Sequence, residues 1–199
     1  MKNNLNNLNN QNYYSDKELK LFGIKKIGKN VFIEKSCRIL GFDNIEIGND
    51  VRIDSFCNLI VHKGYLKISN NVHIGSFCHL VSTGGIEIHD FAGLSQGVKI
   101  YSASDDFSGK YMTNPTVQKQ FTNVKIKKVI INKHSIIGAN SVILPGVIIK
   151  DGVAVGALSL VSKSLKSWTI YSGVPARKVS KRNQNILNLE KKFKNNKKN

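Results

Sequence analysis

The sequence is poor in cysteine, proline, methionine and tryptophan, with three, three, two and one in 199 residues. An odd cysteine count of three argues against a disulfide framework, and so against the small secreted scaffolds that depend on one. Long apolar runs are also absent. The longest uncharged stretch that invites a membrane reading, Ser135 to Ile149, is broken by Gly138, Asn140, Pro145 and Gly146 and is too short to span a bilayer. The first twelve residues hold seven Asn and no apolar signal segment, so residues 1–20 read as an Asn-rich leader and a cytoplasmic location is expected. Acidic residues are scarce: 13 Asp and Glu face 30 Lys and Arg, a formal charge of +17. Residues 175–199 carry nine of the bases and one Glu, so a basic tail explains much of the imbalance. The excess permits anionic small molecules as partners, and neither nucleic-acid binding nor stable membrane insertion is expected.

Apolar residues make up 41% of the chain, enough for a buried core, and the β-branched Ile and Val dominate the set. No long stretch has helical periodicity. Ser15 to Glu18 fits a capping box that opens a short helix through Phe22. Ile186, Leu189 and Phe193 mark one face of a second short helix near the C-terminus. Between them the period is six. Ile131, Ile137, Ile143, Ile149, Val155 and Val161 form one run, and Ile68, Ile74, Leu80, Ile86, Ala92 and Val98 another. Ile27, Ile33, Ile39 and Ile45, then Ile47, Ile53 and Leu59, lead in. Four residues after the aliphatic comes a small or β-branched residue, as at Val31, Cys37, Val51, Cys57, Val72, Cys78, Ser141 and Ser159. The segments VRIDSFCNL (51–59) and VHIGSFCHL (72–80) are near copies 21 residues apart, as an 18-residue coil with a three-residue bulge predicts. All three cysteines take the small corner position and read as reduced packing residues. The period breaks between Val98 and Ile131, where residues 101–128 form a long excursion. Loops of that length are functional or disordered, and its aromatic residues favour an ordered one packed on something.

These hexads resemble the left-handed parallel β-helix of the hexapeptide-repeat acyltransferases. The segments IIGANSVILPGVIIKDGVAVGALSLVSKSL (136–165) and YSGVPARKV (171–179) are similar to the galactoside, maltose and xenobiotic acetyltransferase branch. The resemblance implies an all-β domain over residues 21–172, a long inserted loop, and a basic segment with a short helix over 173–199. It further implies a homotrimer with acetyl-CoA in a groove between chains and no metal. By the same resemblance Gly138, Ala139, Gly156 and Ala157 face the pantetheine arm, although tight coil packing alone also accounts for them. Ser162, Lys163 and Arg177 match residues that meet the nucleotide end, where Lys and Arg suit phosphates. A further basic position of the family falls on Ser180, with Lys181 or Arg182 as substitutes.

The family's catalytic histidine is missing from its place. A gapless alignment from Val98 puts Asp105 there, and no His occurs between His89 and His134. His79, which lies one coil before the loop base, and Asp105 are the catalytic candidates, with Asp106 and Tyr111 as acceptor contacts. The sequence Ser104 to Gly109 also has turn chemistry, which would occupy the acidic pair. His62, His73, His89 and His134 read as surface or corner residues. An amine acceptor needs less help from a base than a hydroxyl does. The expected activity is therefore acetyl transfer to a nucleotide-linked amino sugar or surface-glycan precursor, N-acetylation being favoured slightly over O-acetylation. O-acetylation of a polysaccharide is the alternative. A metallo-hydratase, which would need three converging His, and a non-enzymatic trimeric scaffold are weaker readings.

Overall fold

The computed structural model describes residues 12–196, so the Asn-rich stretch up to residue 11 lies outside the described residues. The chain winds into a parallel β-solenoid of about 7 turns with a helix at each end. Each turn presents three short strands to three stacked sheets. The first sheet stacks Lys26–Ile27, Ile45–Ile47, Leu66–Ile68, Ile86–Ile88, Val129–Ile131 and Ile148–Ile149. The second runs from Val31–Ile33 through Val51–Ile53, His73–Ile74, Gly93–Leu94, Ile136–Ile137 and Ala154–Val155 to Thr169–Ser172. The third stacks Arg38–Leu40, Asn58–Ile60, His79–Val81, Lys99–Tyr101, Val142–Ile143 and Leu160–Val161.

The hexad explains this arrangement. Three-residue strands alternate in and out, so one aliphatic per hexad points to the axis. Ile33, Ile53, Leu59, Ile74, Leu80, Leu94, Ile100, Ile137, Ile143 and Val161 are buried to 1% exposure or less. Each contributes roughly 1.5–3 kcal/mol of burial. The corners need small side chains. Cys37, Cys57 and Cys78 stack in one corner column, are free and buried, and donate to the carbonyls of Asp54, Gly75 and Ser95 at 3.0, 3.1 and 3.2 Å. The two near-copied segments lie one coil apart: Asn58 pairs with His79 and Leu59 with Leu80.

The phase of the middle run is corrected. Its inward residues are Ile88, Leu94 and Ile100, whereas Ala92 and Val98 fill corners. The cause is the third corner, where the N-terminal coils carry two or three extra residues. Thr83, Gly84 and Gly85 restart the chain on Ile86-Glu87-Ile88, which places two aliphatics in one strand. The long excursion leaves from this same corner. It adds 25 residues to an 18-residue coil, since Lys99 pairs with Val142 and Val142 with Leu160. The C-terminal coils return without extra residues.

Helix α1, Asp16–Leu21, has the expected box: Glu18 N–H donates to Ser15 Oγ at 3.2 Å and Ser15 N–H to Glu18 Oε2 at 2.7 Å. Its Leu19 is fully buried. The basic segment is less free than the sequence suggests. Arg177–Lys181 forms a strand antiparallel to Thr169–Ser172 and extends the second sheet. Helix α2, Ile186–Asn196, then folds back over the first corner, beside Phe91 and His134. His134 is thereby buried, with 3% exposure, against the expectation of an exposed position. Its ring stacks on Phe91 at 5.1 Å and meets Glu190 of α2.

Candidate active site

The outer surface of the third sheet brings the predicted residues into one frame. Its outward row runs Arg38, Asn58, His79, Lys99, Val142, Leu160, one residue per coil. At the strand spacing of about 4.8 Å, His79 and Leu160 are about 14 Å apart along the axis. The row is polar and basic in its first four positions and apolar in the last two.

His79 lies where the sequence placed it, beside the root of the long loop. Its Cα partner is Lys99, and its ring lies 5.9 Å from that of Tyr101. Partial burial, helped by the neighbouring Lys99 charge, holds the imidazole below its ordinary value. That favours the neutral, proton-accepting form.

The loop is rooted in a short antiparallel ribbon, Ala103 with Ile126 and Ser104 with Lys125. Ser102, buried beneath it, donates to the Val81 carbonyl at 2.9 Å and receives Gly84 N–H at 2.8 Å. Asp105 is the first residue past the ribbon and is half-buried. Asp106 has turn work: it accepts from Ser108 N–H at 2.8 Å and from the Ser108 hydroxyl, and these bonds lower its pKa. Tyr111 is 47% exposed. The loop is ordered, with a one-turn helix at Lys119–Phe121 and a bridge from Met112 to Thr122. Within the chain it packs less than expected, and Phe107, Met112 and Phe121 all stay exposed.

The far end of the sheet carries the second group. Leu160 donates to the Gly173 carbonyl at 3.0 Å, and Ala176 N–H donates to the Leu160 carbonyl at 2.8 Å. The Gly-Val-Pro-Ala turn thus closes over the last strand. It brings Arg177 beside Ser162 and Lys163, which line one cleft of about 70 Å³ with Val161, Leu165 and Pro175. Lys163 and Arg177 are 14 positions apart in sequence, and the turn unites them. Arg182 donates through one guanidinium nitrogen to the carbonyls of His134 at 2.7 Å and Val153 at 3.3 Å.

Gly138, Ala139, Gly156 and Ala157 stack at the corner that feeds this sheet. Packing dictates the glycine at 138, since a Cβ there would sit 2.4 Å from Ala157 N. Ser141 and Ser159 Oγ both donate to the Gly156 carbonyl, at 3.0 and 2.7 Å. Sequence reasoning did not single out Lys99 or Tyr101, which flank His79. The 20-residue offset between coils was the available signal. Of the other histidines, His73 Nε2 lies 2.8 Å from Asp54 and His89 Nε2 3.5 Å from Glu87. Among the described residues, no group of three or more His, Cys, Asp or Glu is placed to hold a metal ion.

Comparison with known proteins decides the class. No protein-family model matches the chain. The chain is 41% identical over 182 residues to a dTDP-4-amino-4,6-dideoxy-D-glucose acyltransferase of Escherichia coli, covering 92% of this chain and 95% of that protein. It belongs to that acyltransferase family. A solved member, the N-acyltransferase AntD of Bacillus cereus in complex with dTDP and 3-hydroxybutyryl-CoA, is 46% identical and superimposes with a TM-score of 0.91 over 94% of this chain and 99% of AntD. A maltose O-acetyltransferase of Clostridium difficile, 24% identical with a TM-score of 0.56 over 85% of this chain and 75% of that one, shares the fold. The match to the E. coli acyltransferase and to AntD thus extends over more than nine-tenths of this chain and of each of them.

Proposed function

We propose that this acyltransferase moves an acetyl group from acetyl-CoA to the amine of a dTDP-linked 4-amino-4,6-dideoxy sugar, a precursor for a surface glycan made in the cytoplasm. The observation that carries this is the near-complete match to AntD and the E. coli enzyme, on a chain whose loop offers Asp105 in place of a histidine. The coenzyme's phosphates lie against Lys163 and Arg177, with Ser162 beside them, where charge-assisted donors converge. The pantetheine arm follows Val142 and Leu160 along the apolar end of the row, with Gly138, Ala139, Gly156 and Ala157 at its side. This points the thioester at His79 and the loop root.

Chemically, the acceptor arrives as an ammonium and must lose a proton before it attacks. Asp105 pairs with the ammonium and His79 takes the proton. The free amine nitrogen then attacks the thioester carbonyl, so a C–N bond forms and the C–S bond breaks. The coenzyme sulfur leaves as a thiolate and takes up the second proton, which the attacking nitrogen gives up as it becomes an amide. Holding both substrates on one face supplies much of the rate. Solved variants of AntD replace one aspartate and one serine ten positions before it. Ser95 and Asp105 of this chain have that spacing, which supports a site role for Asp105. Asp106 and Tyr111 contact the acceptor from the loop. The exposed apolar loop residues suit a homotrimer in which a neighbour covers them.

A thiol-release assay tests this. With acetyl-CoA or 3-hydroxybutyryl-CoA, dTDP-4-amino-4,6-dideoxyglucose should release thiol, and the counterpart with a hydroxyl at that carbon should not. Equal turnover of both acceptors would show that the amine is not what the site selects. Sedimentation should give three times the chain mass.

A further inference from the structure

The strand Arg177–Lys181 carries Arg177 to the cleft beside Lys163, yet little within the strand holds it in place. It is the last strand of the second sheet, and all five of its residues are exposed. A strand without a buried face is weakly specified in register, and a slip of one residue turns every side chain to the opposite face. Its ladder is also interrupted. Thr169 pairs with Lys181 and Ile170 with Ser180, then Tyr171 pairs with Lys178 and Ser172 with Arg177. Val179 is the extra residue of the bulge between these halves. Its side chain is 64% exposed, so no packing fixes the bulge there.

Arg182, the next residue along, is the anchor. Its N–H donates to the Trp168 carbonyl at 2.8 Å, and its Nη1 to the carbonyls of His134 and Val153 at 2.7 and 3.3 Å. These acceptors lie in three successive coils, since Ile136 pairs with Ala154 and Ala154 with Ile170. Among the described residues no backbone N–H reaches the His134 carbonyl, and no carboxylate pairs with Arg182. The guanidinium therefore grips the backbone of the solenoid itself, with the fork geometry that lysine lacks. Resting on the reading of the cleft as the coenzyme's phosphate site, we infer that Arg182 is a positioning residue for the transfer reaction. It pins the far end of the strand, keeps the bulge at Val179 and so sets the register that presents Arg177 to the coenzyme. Strand rise puts it about 17 Å from Arg177, so it acts through the strand and not on the phosphates that Arg177 meets. The latch of α2 is a separate fastening, since Glu190 meets the imidazole of His134 and Arg182 its carbonyl.

Calorimetry and turnover on the full-length protein test this, with coenzyme A and pantetheine as binding probes. Arg182→Gln should weaken coenzyme A by about 3- to 30-fold and leave pantetheine, which lacks the phosphates, unchanged. In turnover the loss should appear in the acetyl-CoA KM, with kcat held within about twofold. Arg182→Lys, which keeps the charge without the fork, should show the same pattern more weakly, and it replaces Arg182→Gln should that variant fail to fold. Glu190→Gln loosens α2 without touching the bonds of Arg182, so it should lower Tm and spare coenzyme A affinity. Joined to Arg177→Ala, Arg182→Gln should cost no further coenzyme A affinity, because the anchor acts through Arg177. Additive losses in that pair, or equal losses in Arg182→Gln and Glu190→Gln, would overturn the inference. If Arg177→Ala weakens coenzyme A and Arg182→Gln does not, the inference is wrong and the cleft reading stands. If Arg177→Ala binds coenzyme A as wild type does, the cleft reading fails and takes the inference with it.

Discussion

Nε2 of His134 lies 2.8 Å from Oε2 of Glu190, a contact that fastens α2 to the coil beginning at Val129. Glu190 also accepts from Lys133 at 2.7 Å and Lys194 at 2.6 Å. Burial alone would raise its carboxyl. The bonds from Lys133, Lys194 and His134 outweigh burial and hold it at about 2.

That contact sets a pH-dependent stability. A carboxyl lowered in the folded state stabilises the fold above its ordinary value of about 4.5, and this is lost as pH falls toward 2. Glu190→Gln should cost about 1 kcal/mol at pH 7, or about 2–4 °C in Tm. Melting curves of both proteins from pH 7 to pH 2 should converge below pH 4.5. A gap that stays constant would mean that the lost charge is not the cause.

Two glycines should respond differently to an added methyl group. A Cβ at Gly138 would meet Ala157 N at 2.4 Å and Gly156 C at 2.7 Å, whereas at Gly93 nothing lies within 4 Å. Gly138→Ala should destabilise by about 1–3 kcal/mol, and Gly93→Ala should stay within about 0.5 kcal/mol. Urea titrations will compare them. A neutral Gly138→Ala would show that the coils relax apart easily.

At the coenzyme cleft, Lys163→Ala and Arg177→Ala should each weaken coenzyme A binding by about 1–3 kcal/mol. The loss should shrink for a truncated pantetheine that lacks the nucleotide. Equal losses on both ligands would show that the residues act through the fold.

His79 and Asp105 separate by kinetics. His79→Asn should lower kcat by about 10²–10⁴ with coenzyme binding unchanged. Because burial and Lys99 depress its pKa, wild-type kcat/KM should hold below pH 6.5, and the acid limb should vanish in the variant. Asp105→Asn should lower activity mainly through a higher acceptor KM. A fully active His79→Asn with a dead Asp105→Asn would reverse the two roles.

The six-residue period, the cysteine corners, the capping box at Ser15 and Glu18 and the excursion after Tyr101 were all legible in the sequence. Each depends on local spacing, and a strand-and-corner repeat writes its geometry into that spacing. The phase after Leu80 was less legible, because Ile86 and Ile88 both suit the core. Only the extra residues at the third corner decide between them. The burial of His134 was hidden for another reason. Its cover, Glu190 and Phe193, comes from a helix more than fifty residues later. The same holds for Arg177, which the Gly173 to Ala176 turn carries to Lys163. The outward stack of Phe56 on Phe77 became visible only once two coils were laid in register. Sequence thus determined the repeat and the residue types at each place in it. Tertiary structure decided which of those places share a face, because stacking coils converts separations of 18 to 21 residues, and one of 43, into neighbours one strand apart.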